Sequence, residues 1–128
     1  MKIFLLLVLF TTNVISFCQT HTVQFKVDMR VKTCKMEFKP AIDSIYIMGN
    51  FNGWQAKSKM NDDDRDTIYT YSLGNMNTDS TIVFKFFYPE SNWEFGDDRI
   101  LKVKNQDQVF IDFFDRDSSF KAVDFWND

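Results

Sequence analysis

Short stretches in which apolar and polar residues alternate recur along this chain, and they limit its fold more than any other feature. In Thr81–Tyr88 the side chains of Ile82, Phe84, Phe86 and Tyr88 fall on one face, as in a strand with one buried side. Further strands are predicted at His21–Arg30, Ser44–Met48, Thr67–Leu73, Trp93–Phe95, Arg99–Val103, Val109–Phe114 and Ala122–Trp126. No stretch keeps a 3.6-residue apolar period over three turns, so long helices are not expected.

The number and spacing of these strands define the fold class. About seven to eight short strands at intervals of roughly ten residues are typical of an antiparallel β-sandwich. The sequence therefore predicts an all-β, immunoglobulin-like sandwich. Val31–Lys39 is ambiguous, with Pro40 ending any extended segment there. Because no internal repeat or linker separates the strands, residues 19–128 are predicted to form one domain.

Residues 1–18 have the pattern of a secretory signal peptide. Lys2 is the only charge before an apolar run that is too short to span a bilayer. Ser16-Phe17-Cys18 places small residues three and one before a cut, so cleavage before Gln19 is predicted. A lipoprotein cut that leaves Cys18 lipidated is the alternative, and the bulky residue before it argues against that cut. We therefore expect a secreted or periplasmic protein without a membrane span.

The net charge of the exported chain limits its binding partners, and its cysteine count limits its disulfides. Removal of 18 of the 128 residues leaves 110, with a net charge of −4 because Lys2 is lost from the total of −3. A mildly acidic surface argues against nucleic acid as a partner. Cys34 would be the one remaining cysteine, so an intramolecular disulfide is excluded.

The sequence lacks the residue patterns of common catalytic sites. His21 is the only histidine, and it lies near the start of the exported chain. There is no nucleophile elbow and no His-Glu-x-x-His motif. Glycoside hydrolysis needs two facing carboxylates, for which Glu94 and Asp97 are the remaining candidates. A non-catalytic protein without a cofactor is therefore predicted.

The acidic run Asp62-Asp63-Asp64-Arg65-Asp66 suggests calcium ligands, because oxygen ligands at alternate positions suit that ion. It departs from the EF-hand pattern at two positions. Thr67 stands where the loop needs glycine, and Leu73 stands where it needs a bidentate glutamate. We therefore predict a solvated hairpin loop whose aspartates cap turns, and no metal site.

Two tryptophans and a lysine are the candidate binding residues. Trp54 directly follows Asn52-Gly53, a dipeptide that readily accepts positive φ. Lys85 is the one charge in Thr81–Tyr88 and is predicted to face away from the core, and Trp93 follows the next turn. Indole faces can stack on a pyranose ring while an ammonium group bonds its hydroxyls. The alternative is that both tryptophans close the ends of the sandwich and Lys85 is only solvated.

These residues occur in an order that resembles a known family. The segments are Tyr46-Ile47-Met48-Gly49-Asn50-Phe51-Asn52-Gly53-Trp54, then Phe84-Lys85-Phe86-Phe87, then Trp93. They look like the starch- and glycogen-binding modules, which are carbohydrate-binding modules of families 48 and 20. These include the glycogen-binding domain of the AMP-activated protein kinase β subunit. The resemblance covers roughly residues 40–114, and Thr22–Arg30 also resembles the first strand of secreted bacterial proteins with this module.

The resemblance implies an early-set immunoglobulin-like sandwich that binds α-glucan. Carried over by motif, Trp54 and Trp93 would stack on the sugar and Lys85 would donate hydrogen bonds. Further contacts are expected from loop asparagines, namely Asn50, Asn52 and Asn105. The loop between Lys85 and Trp93 contains Pro89 and is slightly longer than in the glycogen-binding domain, which puts the position of the second ring in question.

Two other functions stay open at this point. One is a secreted immunoglobulin-like module for protein interaction or structure that has lost sugar binding, whose partner is unknown. The other is a glycosidase. Retardation in soluble starch or glycogen favours the glucan-binding module, whereas release of reducing sugar favours the enzyme.

Overall fold

The computed structural model describes residues 19–118, and strands dominate this part of the chain. The strands are β1 (Thr20–Asp28), β2 (Tyr46–Gly49), β3 (Ser58–Lys59), β4 (Ile68–Asn77), β5 (Thr81–Tyr88), β6 (Asn92–Trp93), β7 (Arg99–Lys102) and β8 (Gln108–Phe113). They are joined by one short helix, α1 (Arg30–Cys34), and a 3₁₀ turn (Phe114–Arg116). The predicted all-β class is confirmed.

Two sequence predictions fall outside residues 19–118. They are the signal peptide at residues 1–18 and the last strand, Ala122–Trp126. Within the described range, no helix is long and apolar enough to cross a membrane.

The strands form two sheets. The first has the order β4-β1-β8, and the second has the order β3-β2-β5-β6, with β7 also pairing with β5. β6 and β7 share one edge of β5, because β6 pairs with Phe87 and Tyr88 while β7 pairs with residues 81–84. All pairings are antiparallel except that of β1 with β8, which is parallel. That parallel pair departs from the predicted antiparallel arrangement.

Aromatic rings join the two sheets into a sandwich. The ring of Phe25 on β1 meets that of Phe84 on β5 edge to face, with centroids 4.7 Å apart. Phe110 on β8 lies 5.1 Å from the same Phe84 ring. On β5 the alternate residues 82, 84, 86 and 88 are buried, while Lys85 is only partly buried. This pattern confirms that Lys85 lies on the outer face of its sheet.

The first strand ends earlier than the sequence predicts. The alternation in His21–Arg30 predicts one strand, but β1 ends at Asp28 and α1 begins at Arg30. The buried carboxylate of Asp28 accepts hydrogen bonds from both the backbone N–H and the guanidinium group of Arg30. These bonds turn the chain away from the sheet. The Thr33 hydroxyl then donates to the Met29 carbonyl at 2.8 Å and closes the helical turn.

The fourth strand extends beyond its predicted end. The sequence predicts a strand that ends at Leu73, before the turn-forming pair Gly74-Asn75, yet β4 continues to Asn77. The pairing of β4 with β1 shifts register between His21 and Val23, and the two strands remain paired on both sides of this shift. A second difference is β3, which pairs with β2 in a segment where the sequence predicts no strand.

Candidate functional site

Trp54 is held at the end of a tight turn that follows β2. The carbonyl of Gly49 accepts hydrogen bonds from the N–H groups of Asn52, at 3.2 Å, and Trp54, at 3.0 Å. Gly53 and Trp54 both have positive φ, 64° and 58°, so the positive φ predicted within Asn52-Gly53 occurs at Gly53, and the tryptophan that follows adopts it as well. For a tryptophan this left-handed conformation costs on the order of 1 kcal/mol.

The side chain of Asn52 locks this turn. Its oxygen accepts a hydrogen bond from the Gly49 N–H at 3.0 Å. Its amide group donates to the Ile47 carbonyl at 3.0 Å and to the Ser58 hydroxyl at 3.1 Å. One carboxamide therefore joins the turn to both β2 and β3.

Asn50 joins the same turn to β5. Its amide donates to the Thr81 carbonyl at 2.9 Å, and its oxygen accepts from the Val83 N–H at 3.2 Å. These are contacts within the scaffold, as are those of Asn52. A role for either asparagine in holding sugar stays a prediction.

Lys85 lies on the outer face of β5, opposite Met48 on β2. Its side chain is 18% exposed, and its Nζ atom is 3.9 Å from Oδ1 of Asp98. At that distance, with Asp98 half-exposed, the ion pair stabilises the fold by roughly 0–1 kcal/mol. The ammonium group therefore remains available to other acceptors.

Trp93 enters the same face from β6. Its backbone pairs with that of Phe87, and the two rings lie 4.9 Å apart at an interplanar angle of 53°. The longer loop with Pro89 therefore leaves the second ring beside β5. The ring is 43% exposed, so it rests on the sheet and still presents surface to solvent.

One cavity of about 240 Å³ collects these side chains. Trp54, Lys85 and Trp93 line it together with Asp98. Trp54 is 37% exposed, so both indoles are available to a ligand. The sequence shows Asp98 only as part of a turn, because its nearness to Lys85 depends on the pairing of β5 with β7.

Asn105 is not part of this cavity wall. It is exposed in the loop after β7, and that end of β7 pairs Lys102 with Thr81. Trp93 pairs with Phe87 at the opposite end of β5, six residues or roughly 20 Å away along the strand. The structure therefore does not bring Asn105 together with Trp93.

The wall of the cavity suits an uncharged polyhydroxy ligand. Lys85 and Asp98 carry opposite charges, so the cavity has no net charge of its own. The ammonium group donates to hydroxyl oxygens, and the carboxylate accepts from hydroxyl hydrogens. The two indoles supply flat apolar surface for the C–H face of a sugar ring.

A buried ion pair supports the cavity from beneath. Glu94 follows Trp93 in the chain and Arg99 follows Asp98, and their side chains join at 2.8 and 2.9 Å. The Arg99 guanidinium also donates to Asp112 at 2.7 Å. Burial lowers the pKa of Arg99, but the hydrogen bonds to these carboxylates and their negative charges together raise it by more, so the net direction is upward. This pair fixes the spacing between Trp93 and Asp98.

The aspartate loop, Asp62-Asp63-Asp64-Arg65-Asp66, does not line the cavity that contains the two tryptophans. Carboxylate oxygens of Asp62, Asp64 and Asp66 lie within 4.8 Å of one another. Asp62 accepts hydrogen bonds from the N–H groups of Asp66 and Thr67, as expected for a residue that caps a turn. Burial raises the pKa of Asp62. Cavities of about 570 and 690 Å³ open beside this loop, but neither has a tryptophan in its wall.

Comparisons with known proteins leave the function to be argued from this geometry. No family model matches the chain. No curated protein matches it either.

Proposed function

We propose that this chain is a non-catalytic module that binds a neutral α-glucan of the starch or glycogen type. The observation that carries the proposal is that Trp54, Lys85 and Trp93, from three separate segments, line one cavity. The indoles would stack on glucose rings, Lys85 would donate to hydroxyl oxygens, and Asp98 would accept from hydroxyl hydrogens.

The proposal includes the fold type and location that the resemblance implies. The fold would be an early-set immunoglobulin-like sandwich, and the two packed sheets support this. The chain would be exported after removal of residues 1–18. The signal-like pattern at the N-terminus supports export, with a lipid anchor on Cys18 as the alternative.

The carboxylates near the cavity support binding without catalysis. Of the residues described, Asp98 alone contributes a carboxylate to the wall. Glycoside hydrolysis uses a pair of carboxylates across the sugar. Glu94, the nearest candidate in sequence, is fully buried and bonded to Arg99, so it supports the fold.

Affinity electrophoresis in gels with glycogen or soluble starch tests the proposal. The wild-type protein should be retarded, and Trp54→Ala, Trp93→Ala and Lys85→Met should each migrate faster. Loss of one stacked ring removes about 1 kcal/mol, which corresponds to a roughly fivefold weaker Kd. Val109→Ala is the matched control, because Val109 is 63% exposed on the other sheet. A wild-type protein that migrates equally with and without glucan would overturn the proposal.

One observation favours a second function, a protein-interaction module that has lost sugar binding. Ile100 is 73% exposed and pairs with Val83, two residues from Lys85 on the same outer face. Phe95, two residues after Trp93, is 83% exposed. Apolar side chains at this density are also found at protein interfaces. Absence of retardation in any glucan gel would favour this function.

A further inference from the structure

Trp93 lines a second cavity as well as the first. This cavity has a volume of about 380 Å³, and its wall includes Lys32, Glu37, Tyr88, Asn92 and Asp115. Trp93 is therefore a wall shared by two adjoining spaces. A third cavity of about 390 Å³ shares Glu37, Tyr88 and Asn92 with the second.

A fixed ion cluster supplies the polar groups of the second cavity. The Nζ atom of Lys32 lies 2.6 Å from Asp115 and 2.7 Å from Glu37. Burial lowers the pKa of Lys32, but the hydrogen bonds to the two carboxylates and their negative charges together raise it by more, so the pKa lies above the ordinary value. The lysine is therefore charged at neutral pH and held in one place. The Glu37 side chain is about half-exposed and presents its oxygens to a ligand.

The charge of this cluster selects the ligand class. One lysine and two carboxylates give the second cavity a net charge of −1, while the first cavity is neutral. A carboxylate-bearing sugar would be repelled, because like charges oppose each other across short distances. A neutral hydroxylated chain can accept from Lys32 and donate to Glu37.

We propose that the second cavity is a further subsite for the same neutral glucan chain, which would pass the Trp93 ring and contact Lys32, Glu37 and Asn92. This inference rests on the proposed function. The observation that carries it is that Trp93 contributes to the walls of both cavities. Long oligosaccharides would therefore bind more tightly than short ones, since only they reach both cavities.

NMR titration with maltose and with maltoheptaose tests this subsite. The indole N–H of Trp54 should shift with both sugars, and the backbone amides of Lys32 and Asn92 should shift with maltoheptaose alone. Lys32→Met should weaken maltoheptaose binding about three- to tenfold and leave the Kd for maltose unchanged. Lys35→Met is the matched control, because Lys35 caps the C-terminal end of the same helix and pairs with Asp117 outside these cavities.

The outcomes separate this inference from the function on which it rests. A shift at Trp54 with both sugars, with silent amides at Lys32 and Asn92, would overturn the subsite and leave glucan binding intact. No shift at Trp54 with either sugar would overturn the proposed function itself. If Lys32→Met melts at a lower temperature than Lys35→Met, the test uses Glu37→Gln instead. Glutamine has the same shape as glutamate without the charge, and the Glu37 side chain is about half-exposed. Equal maltoheptaose affinity in folded Glu37→Gln and wild-type protein would overturn the subsite.

Discussion

Replacing Arg99 by methionine should destabilise the domain strongly, because a buried carboxylate would lose its partner. The Glu94 side chain is fully buried and accepts two hydrogen bonds from Arg99, at 2.8 and 2.9 Å. Its bond from the Phe86 N–H is longer, at 3.4 Å. Removing one partner of a buried pair costs about 3–5 kcal/mol. Domains of this size are stable by roughly 5–15 kcal/mol, so the loss is a large part of the total.

The double variant Arg99→Met/Glu94→Met is the matched control. Replacing both members of a buried pair by apolar residues is often neutral, so the double variant should recover most of the lost stability. Urea denaturation followed by tryptophan fluorescence measures the free energy of unfolding of each protein. Comparison at one pH then isolates the cost of the unpaired carboxylate.

The free energy of unfolding of Arg99→Met at pH 7 is the decisive measurement. An Arg99→Met protein within about 1 kcal/mol of wild type at pH 7 would refute the reasoning, since it contradicts the cost of an unpaired buried charge.

Two further predictions concern the turn that carries Trp54. Gly49→Ala should lower the free energy of unfolding by about 1–3 kcal/mol, because the new Cβ would lie 2.7 Å from Cε1 of Phe51 and closer still to the Val83 carbonyl oxygen. Gly74→Ala is its control in urea denaturation, since nothing lies within 4 Å of that Cβ, and equal losses would contradict the steric argument. Trp54→Gly and Trp54→Ala should both lose glucan binding. Trp54→Gly should be more stable than Trp54→Ala by roughly 0.5–1 kcal/mol, because glycine adopts positive φ without strain. The larger entropy of glycine in the unfolded state offsets part of that gain and is included in this figure. Equal urea midpoints would show that the turn stores no strain.

Alternating apolar and polar residues predicted the strands that pack one face against the other sheet and leave the second face toward solvent. In β5 the alternation alone places Lys85 on the outer face, because adjacent side chains in a strand point in opposite directions. Two features of β1 and β4 could not be predicted in this way. Arg30 continues the alternating pattern, yet its bonds to Asp28 end the strand. Gly74-Asn75 carries a turn signal that the pairing of β4 with β1 overrides.

The candidate site was predictable only as far as its residues lie in recognisable local patterns. Trp54 follows a turn dipeptide and Lys85 interrupts an apolar strand, so both can be identified from the sequence. Asp98 cannot, because it joins the cavity through the pairing of β7 with β5. Lys32 and Asp115 meet through a helix and a 3₁₀ turn that the alternating pattern does not predict.

The two indole rings of the cavity are positioned by different backbone segments, and this lowers the entropic cost of binding a ligand at a shallow site. Trp54 is held by the Gly49 carbonyl, whose turn is locked by Asn52. Trp93 is placed by its pairing with β5, and the Glu94–Arg99 pair beneath it fixes the approach of β7. Binding therefore need not order either backbone segment, which lowers the entropic cost that limits weak ligands. Because hydrogen bonds place both backbone segments and both indoles are partly exposed, removing an indole should weaken binding while the sandwich stays folded.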